Sequence, residues 1–211
     1  MHLSAQQLDR AVGAVLASAA GDALGSQYEF GPALSDSLTP QFGIGCFGHA
    51  LGEWTDDTSM AMPILRVLAR GGTIEDRGSI VEIVAAWKDW SRTAKDVGTQ
   101  TRAVLSRLDE GADEDAARSA AESAHDRAGR SGGNGSLMRT GPVALGYLDR
   151  SPEELAAAAG RIAQLTHWEA DNVDACALWC LAIRHAILTG KYDVRAQLPW
   201  LPAERRDHWE R

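Results

Sequence analysis

Apolar side chains recur along this chain at three- and four-residue spacing, and nowhere do they alternate in twos through a β-branched run. That rhythm puts an apolar stripe on a succession of helices and leaves no segment patterned like a half-buried strand. It predicts an all-α, multi-helix fold. Leu8, Val12, Val15, Leu16 and Ala19 give one face to a helix from about Ser4 toward Asp22. Further helices are expected from Asp57 to the Gly71-Gly72 stop, Glu75 to about Thr93, Thr101 to Glu110 and Asp113 to Ala128. Pro142 to Leu148, Pro152 to Leu165 and Asn172 to Leu188 follow, the last being the most apolar and therefore expected at the centre. Ser151 before Pro152 is the N-cap of its helix, with proline at the first helical position.

Three segments break the rhythm. Phe30 to Trp54 is glycine-rich with Pro32 and Pro40, Arg130 to Ser136 reads RSGGNGS, and Leu198 to Pro202 (LPWLP) reads as a rigid elbow. Long irregular loops inside a compact helical unit are more often binding loops than spacers. With no repeat and no linker, residues 1–211 are expected to form a single domain. A last helix opens at Pro202 and reaches Arg211 without a capping residue, so a further C-terminal part is expected to be missing.

Charge narrows the function. The chain has 29 acidic against 21 basic side chains, a formal net charge of −8. A nucleic-acid partner is not expected, because displacing counterions from phosphates needs clustered Lys and Arg. No membrane association is expected either: Asp22, Arg66 and Arg184 interrupt the longest apolar runs, and the N-terminus lacks the pattern of a signal peptide. Three cysteines make no disulfide framework and fit a cytoplasmic protein.

Motifs carry the rest. Gly43 to Gly48 spells G-x-G-x-x-G, but Pro40 precedes it and no helix follows, so the dinucleotide context fails. Cys176 and Cys180, one turn apart on an apolar helix, read as buried core thiols. Asp113-Glu114-Asp115 reads as a solvated acidic first turn. Glu53-Trp54-Thr55-Asp56-Asp57-Thr58 has two readings. One is an N-cap for the helix that follows. The other starts from the fact that one cap needs one side chain, whereas oxygen-bearing side chains stand here in a row. Hard divalent cations take such oxygens, and successive residues at a helix start point about 100° apart, so Asp56 and Asp57 can address two neighbouring ions. Gly21 to Gly25 reads as a helix C-terminus with Gly25 left-handed, which leaves unexplained why Asp22 sits where the helix dipole disfavours it. Arg130 to Ser136 is either a plain loop or a cradle of backbone N–H groups for an anion, and His167 either a structural histidine or a ligand contact.

Taken in order, GDALGSQYE (Gly21 to Glu29), WTDDTSM (Trp54 to Met60), GNGSLMR (Gly133 to Arg139) and THWEADNVDAC (Thr166 to Cys176) resemble the ADP-ribosylglycohydrolase family, including its dinitrogenase-reductase activating members. The resemblance covers essentially the whole chain. It implies a largely orthogonal all-α domain with two Mg²⁺ ions (or Mn²⁺) held in a cleft, Thr55, Asp56 and Asp57 being metal ligands. It implies catalytic roles for Asp56, Asp57 and Glu29, the last as a mobile glutamate near the scissile bond. By the same resemblance Gly133, Asn134, Gly135, Ser136 and Met138 cradle ADP-ribose, with His167 a further contact. The implied reaction is hydrolysis of the bond between ADP-ribose and a modified protein side chain or small acceptor. The family's second acidic motif, of the type Asp-x-Asp-Thr, has no counterpart downstream of Thr58. This chain by itself is therefore expected to hydrolyse weakly at most. A non-catalytic ADP-ribose binder and a crystallin-like structural protein are the alternatives.

Overall fold

The computed structural model describes residues 2–210, and among them every regular element is helical. The helices are α1 (Ala5–Gly25), α2 (Asp56–Ala69), α3 (Arg77–Ser91), α4 (Thr99–Leu105), α5 (Glu114–Ala128), α6 (Leu137–Thr140), α7 (Pro142–Gly146), α8 (Pro152–Gln164), α9 (Ala170–Thr189) and α10 (Ala203–Trp209). Ser4 closes a capping box with Gln7 at the head of α1, and Ser151 closes one with Glu154 at the head of α8.

Cys176, Cys180 and Leu181 of α9 sit in one core with Leu155, Ala159 and Ile162 of α8, Met60 and Ile64 of α2, and Ile80, Ile83 and Trp87 of α3. Helices α8 and α9 pack along their lengths, and Gly160 makes this possible: a Cβ there would lie 2.9 Å from Val173. α9 is buried on nearly all sides, as its uniform apolarity demands. α2 packs against α3, α6 and α7 and, less extensively, α1.

The structure departs from the sequence expectation in several places. α4 stops at Leu105 rather than Glu110, because Leu108 turns into the core and its carbonyl is taken by the Lys88 ammonium. The expected elbow at Leu198 to Pro202 is largely a 3-10 turn, Arg195–Trp200, that carries Pro199 within it. Glu114 is not solvated: its side chain is buried against Arg161 and Arg118, tying α5 to α8. The expected helix to Arg211 ends at Trp209, and Arg211 lies outside the described residues. α10 docks on α9 through Arg205, which donates to Asp171 and Asp174, and through the Trp209 indole, which donates to Asp174. Finally, the apolar stripe of α1 faces outward. Leu8, Val12 and Leu16 are 56%, 50% and 64% exposed, while Ala11 and Ala23 of the same helix are buried.

Candidate active site

Asp22 organises the site. Its carboxylate accepts from the Thr55 amide (3.0 Å), the Thr55 hydroxyl (2.7 Å), the Thr58 amide (3.0 Å) and the Thr58 hydroxyl (2.6 Å). An acid at the C-terminal end of α1 thus caps the N-terminus of α2, where the dipole and free N–H groups favour negative charge. Thr55 stands in the N-cap position of α2 but makes no capping bond with its own side chain. Capping from a distance leaves the carboxyls of Asp56 and Asp57 free of that task. α1 also does not end in a left-handed Gly25. It passes into Ser26 in right-handed helical geometry, held by the Ser26 amide on the Asp22 carbonyl and the Ser26 hydroxyl on the Ala23 carbonyl.

Around the head of α2 the carboxylates crowd. Burial, followed by the charges of Asp22, Asp56 and Glu29, pushes Asp57 up to about 7. Burial and then Asp96 raise Asp56, with the Gly98 amide acting in the opposite sense. Glu29 is raised by partial burial, then by Asp96, Asp56 and Asp22, with His49 opposing. Asp96, in the connection between α3 and α4, is itself raised by burial. Motif reading missed Asp96, since an isolated acid between helices carries no sequence signature. Glu29 lies beyond α1 on an exposed loop; its carbonyl is met by the Cys46 thiol (2.9 Å), and the next residue, Phe30, is left-handed at φ 60°. A cluster of anions that raise one another's pKa is a site at which a cation is favoured. Carboxylate and hydroxyl oxygens are hard donors of the kind Mg²⁺ or Mn²⁺ takes. Among the described residues no group of three or more His, Cys, Asp or Glu side chains is placed to hold a metal ion.

The glycine loop, residues 130–136, is clamped by the head of α9. Glu169 accepts from the Ser131 amide (2.6 Å), and the Asn172 side chain donates to the Gly133 carbonyl and the Ser136 hydroxyl, both at 2.7 Å. Ser136 is wholly buried, Asn134 is exposed and Met138 half-buried. His167 lies beneath the loop, 1% exposed, and a Cβ on Gly135 would approach its ring to 3.0 Å. Any larger residue there would press on the His167 ring, which would have to give by a few tenths of an ångström. α6 after the loop is only four residues long, so its dipole adds little. Asp57, Thr58, Asn134 and Met138 line a cleft of about 660 Å³ between α1, α2, α6, α7 and α9; Glu29, Thr55, Asp56 and His167 stand outside its lining.

The sequence profile of ADP-ribosylglycohydrolases matches residues 3–210. The chain belongs to that family. The ADP-ribosyl-[dinitrogen reductase] glycohydrolase of Rhodospirillum rubrum is 34% identical over 187 residues, 85% of this chain and 58% of that protein. The ADP-ribosylarginine hydrolase Tri1 of Pseudomonas putida (strain GB-1) is 36% identical over 105 residues, 47% of this chain and 28% of that protein. A solved structure titled ADP-ribosylglycohydrolase-related protein complex superposes with a TM-score of 0.66 at 30% identity, covering 92% of this chain and 61% of its own. This ADP-ribosylglycohydrolase-family chain thus spans less than two thirds of the length of these relatives.

Proposed function

We propose that this protein is a divalent-metal-dependent hydrolase that releases ADP-ribose from an ADP-ribosylated side chain, with arginine as the acceptor. The observation that carries the reading is the crowding of Glu29, Asp56, Asp57 and Asp96 at the head of α2, where burial first and neighbouring carboxylates second raise the pKa of Glu29, Asp56 and Asp57. An anionic rim of this kind suits both a metal cation and the guanidinium of an arginine acceptor, and two relatives carry the name ADP-ribosylarginine hydrolase. Thr55, Asp56 and Asp57 are the residues that would hold the metal. Mg²⁺ or Mn²⁺ bound there supplies charge stabilisation and orients the ribose hydroxyls. Glu29, on its exposed loop, takes the proton from the attacking water as general base. The bond between the anomeric carbon and the acceptor breaks, water supplies the new oxygen, and the acceptor leaves with a proton. Gly133, Asn134, Gly135, Ser136 and Met138 form the ADP-ribose side of the site, with His167 below. The free cysteines Cys46, Cys176 and Cys180 fit a reducing, cytoplasmic setting.

The test is ADP-ribose release from an ADP-ribosylated arginine peptide at millimolar Mg²⁺ or Mn²⁺. Asp56→Ala and Asp57→Ala are each expected to lower the rate by about 100-fold or more while circular dichroism is unchanged. Wild-type turnover retained in both variants overturns the reading. Binding of ADP-ribose without any metal-dependent release would make the protein a binder rather than an enzyme.

A further inference from the structure

We infer that Arg139 and Thr166 are positioning residues that hold His167 as a single neutral tautomer, with its proton on Nε2, pointed at the glycine loop. Arg139 follows the loop directly and is wholly buried, its guanidinium 4.1 Å over the Trp87 ring. It donates from Nη2 to the Thr166 hydroxyl at 2.6 Å and to the Ile162 carbonyl at 3.3 Å. A guanidinium has donors and no acceptor, so the Thr166 oxygen meets Arg139 with a lone pair and keeps its own proton to place. Thr166 is itself wholly buried, and a buried hydroxyl proton left without an acceptor costs about 1–3 kcal/mol. The other polar atom in reach is His167 Nδ1, at 2.8 Å. The hydroxyl therefore donates to Nδ1, and the ring proton resides on Nε2.

Charge supports the same assignment. Burial, with Arg139 beside it, holds His167 down to about 3, so the ring is neutral. Nε2 faces the loop: Cβ atoms built on Gly133 and Gly135 would lie 3.8 Å and 3.2 Å from it. No side chain of the loop at those two positions stands over the N–H. Arg139 thus acts at a distance, through a hydroxyl, to turn a histidine into a fixed donor for an oxygen lying in the loop. The opposite tautomer would present a lone pair there and repel a phosphate or hydroxyl oxygen. That the oxygen belongs to ADP-ribose rests on the proposed function; the tautomer does not.

The experiment is a long-range ¹H–¹⁵N correlation on the ¹⁵N-histidine-labelled 211-residue chain. His167 is expected to show a protonated Nε2 and a bare Nδ1, unchanged between about pH 5.5 and 8. Thr166→Val removes the hydroxyl at nearly constant volume and is expected to give a mixed or reversed tautomer, whereas Thr166→Ser restores the wild-type pattern. A protonated Nδ1 in the wild type, or a Thr166→Val spectrum identical to it, overturns the inference. Calorimetry with ADP-ribose tests the donor role: Thr166→Val should bind at least tenfold more weakly and Thr166→Ser as wild type. Unchanged affinity alongside a changed tautomer overturns that role. No ADP-ribose binding by any variant, wild type included, counts against the proposed function and leaves the tautomer standing.

Discussion

Two kinds of residue surround the α2 head and the glycine loop, and their protonation pulls stability in opposite directions with pH. Asp57 is raised to about 7 when folded, against an ordinary value of 3.8, so its contribution is greatest at low pH and is lost as pH rises through that interval. His167 is lowered to about 3 against an ordinary 6.5. The unfolded chain then binds its proton first, so the stability that His167 contributes is full above 6.5 and is lost as pH falls toward 3. The slope is about 1.4 kcal/mol per pH unit within this window. Because the carboxylates oppose it, the wild-type curve alone hides the effect, and comparison with His167→Gln isolates it. Between pH 6.5 and 5 the variant should lose about 2 kcal/mol less than wild type in urea unfolding. Parallel curves would mean that His167 is protonated in the folded protein. Arg139 is the charged group acting on His167, and it remains a cation across this range because burial lowers it only to about 9. None of this was legible from His167 as a letter in a motif. The motif marks the position, but its neutrality comes first from burial in the fold and then from a buried arginine nearly thirty residues away in sequence.

At the scale of elements, sequence period and punctuation were enough to locate nearly every helix, because apolar spacing and a cap such as Ser151 are local properties. What stayed hidden were links between elements. The Asp22 carboxylate was marked by its unfavourable place on α1, but only the fold shows that Thr55 and Thr58 at the head of α2 are its partners. Glu114 resembled a solvated first turn because its partners, above all Arg161 of α8, are remote in sequence. The Asp22 link predicts a cost beyond an ordinary cap. Asp22→Ala removes one acceptor from two amides and two hydroxyls, some of them buried, so about 2–4 kcal/mol of unfolding free energy should be lost. Asp22→Asn, which keeps one carbonyl acceptor, should lose less. Equal stability of wild type and Asp22→Ala by urea denaturation would show that water replaces the carboxylate at no cost.

Viewed whole, the molecule covers its core well but leaves an apolar groove and the outer face of α1 in water. The periodicity correctly gave α1 an apolar stripe, but periodicity identifies a face without identifying what lies against it. Among the described residues nothing buries Leu8, Val12 and Leu16, each at least half exposed on successive turns. Beside them opens the cleft of about 660 Å³, whose walls are mostly apolar residues such as Val15, Leu65, Leu145 and Ile183. Contiguous apolar surface of this kind rarely stays free in a soluble monomer. The 211-residue chain is therefore expected to associate as its concentration rises, seen by sedimentation velocity as a shift to larger species through the micromolar range. Replacing the stripe as Leu8→Gln, Val12→Gln and Leu16→Gln together should hold the chain monomeric. It should also lower the melting temperature by no more than a few degrees, because half-exposed side chains contribute little burial and glutamine is an acceptable helix former. If the wild type remains monomeric at the highest concentrations, the stripe is tolerated in water. If the triple variant unfolds, the stripe is covered in solution by contacts within the chain itself, and α1 sits differently from the arrangement described above.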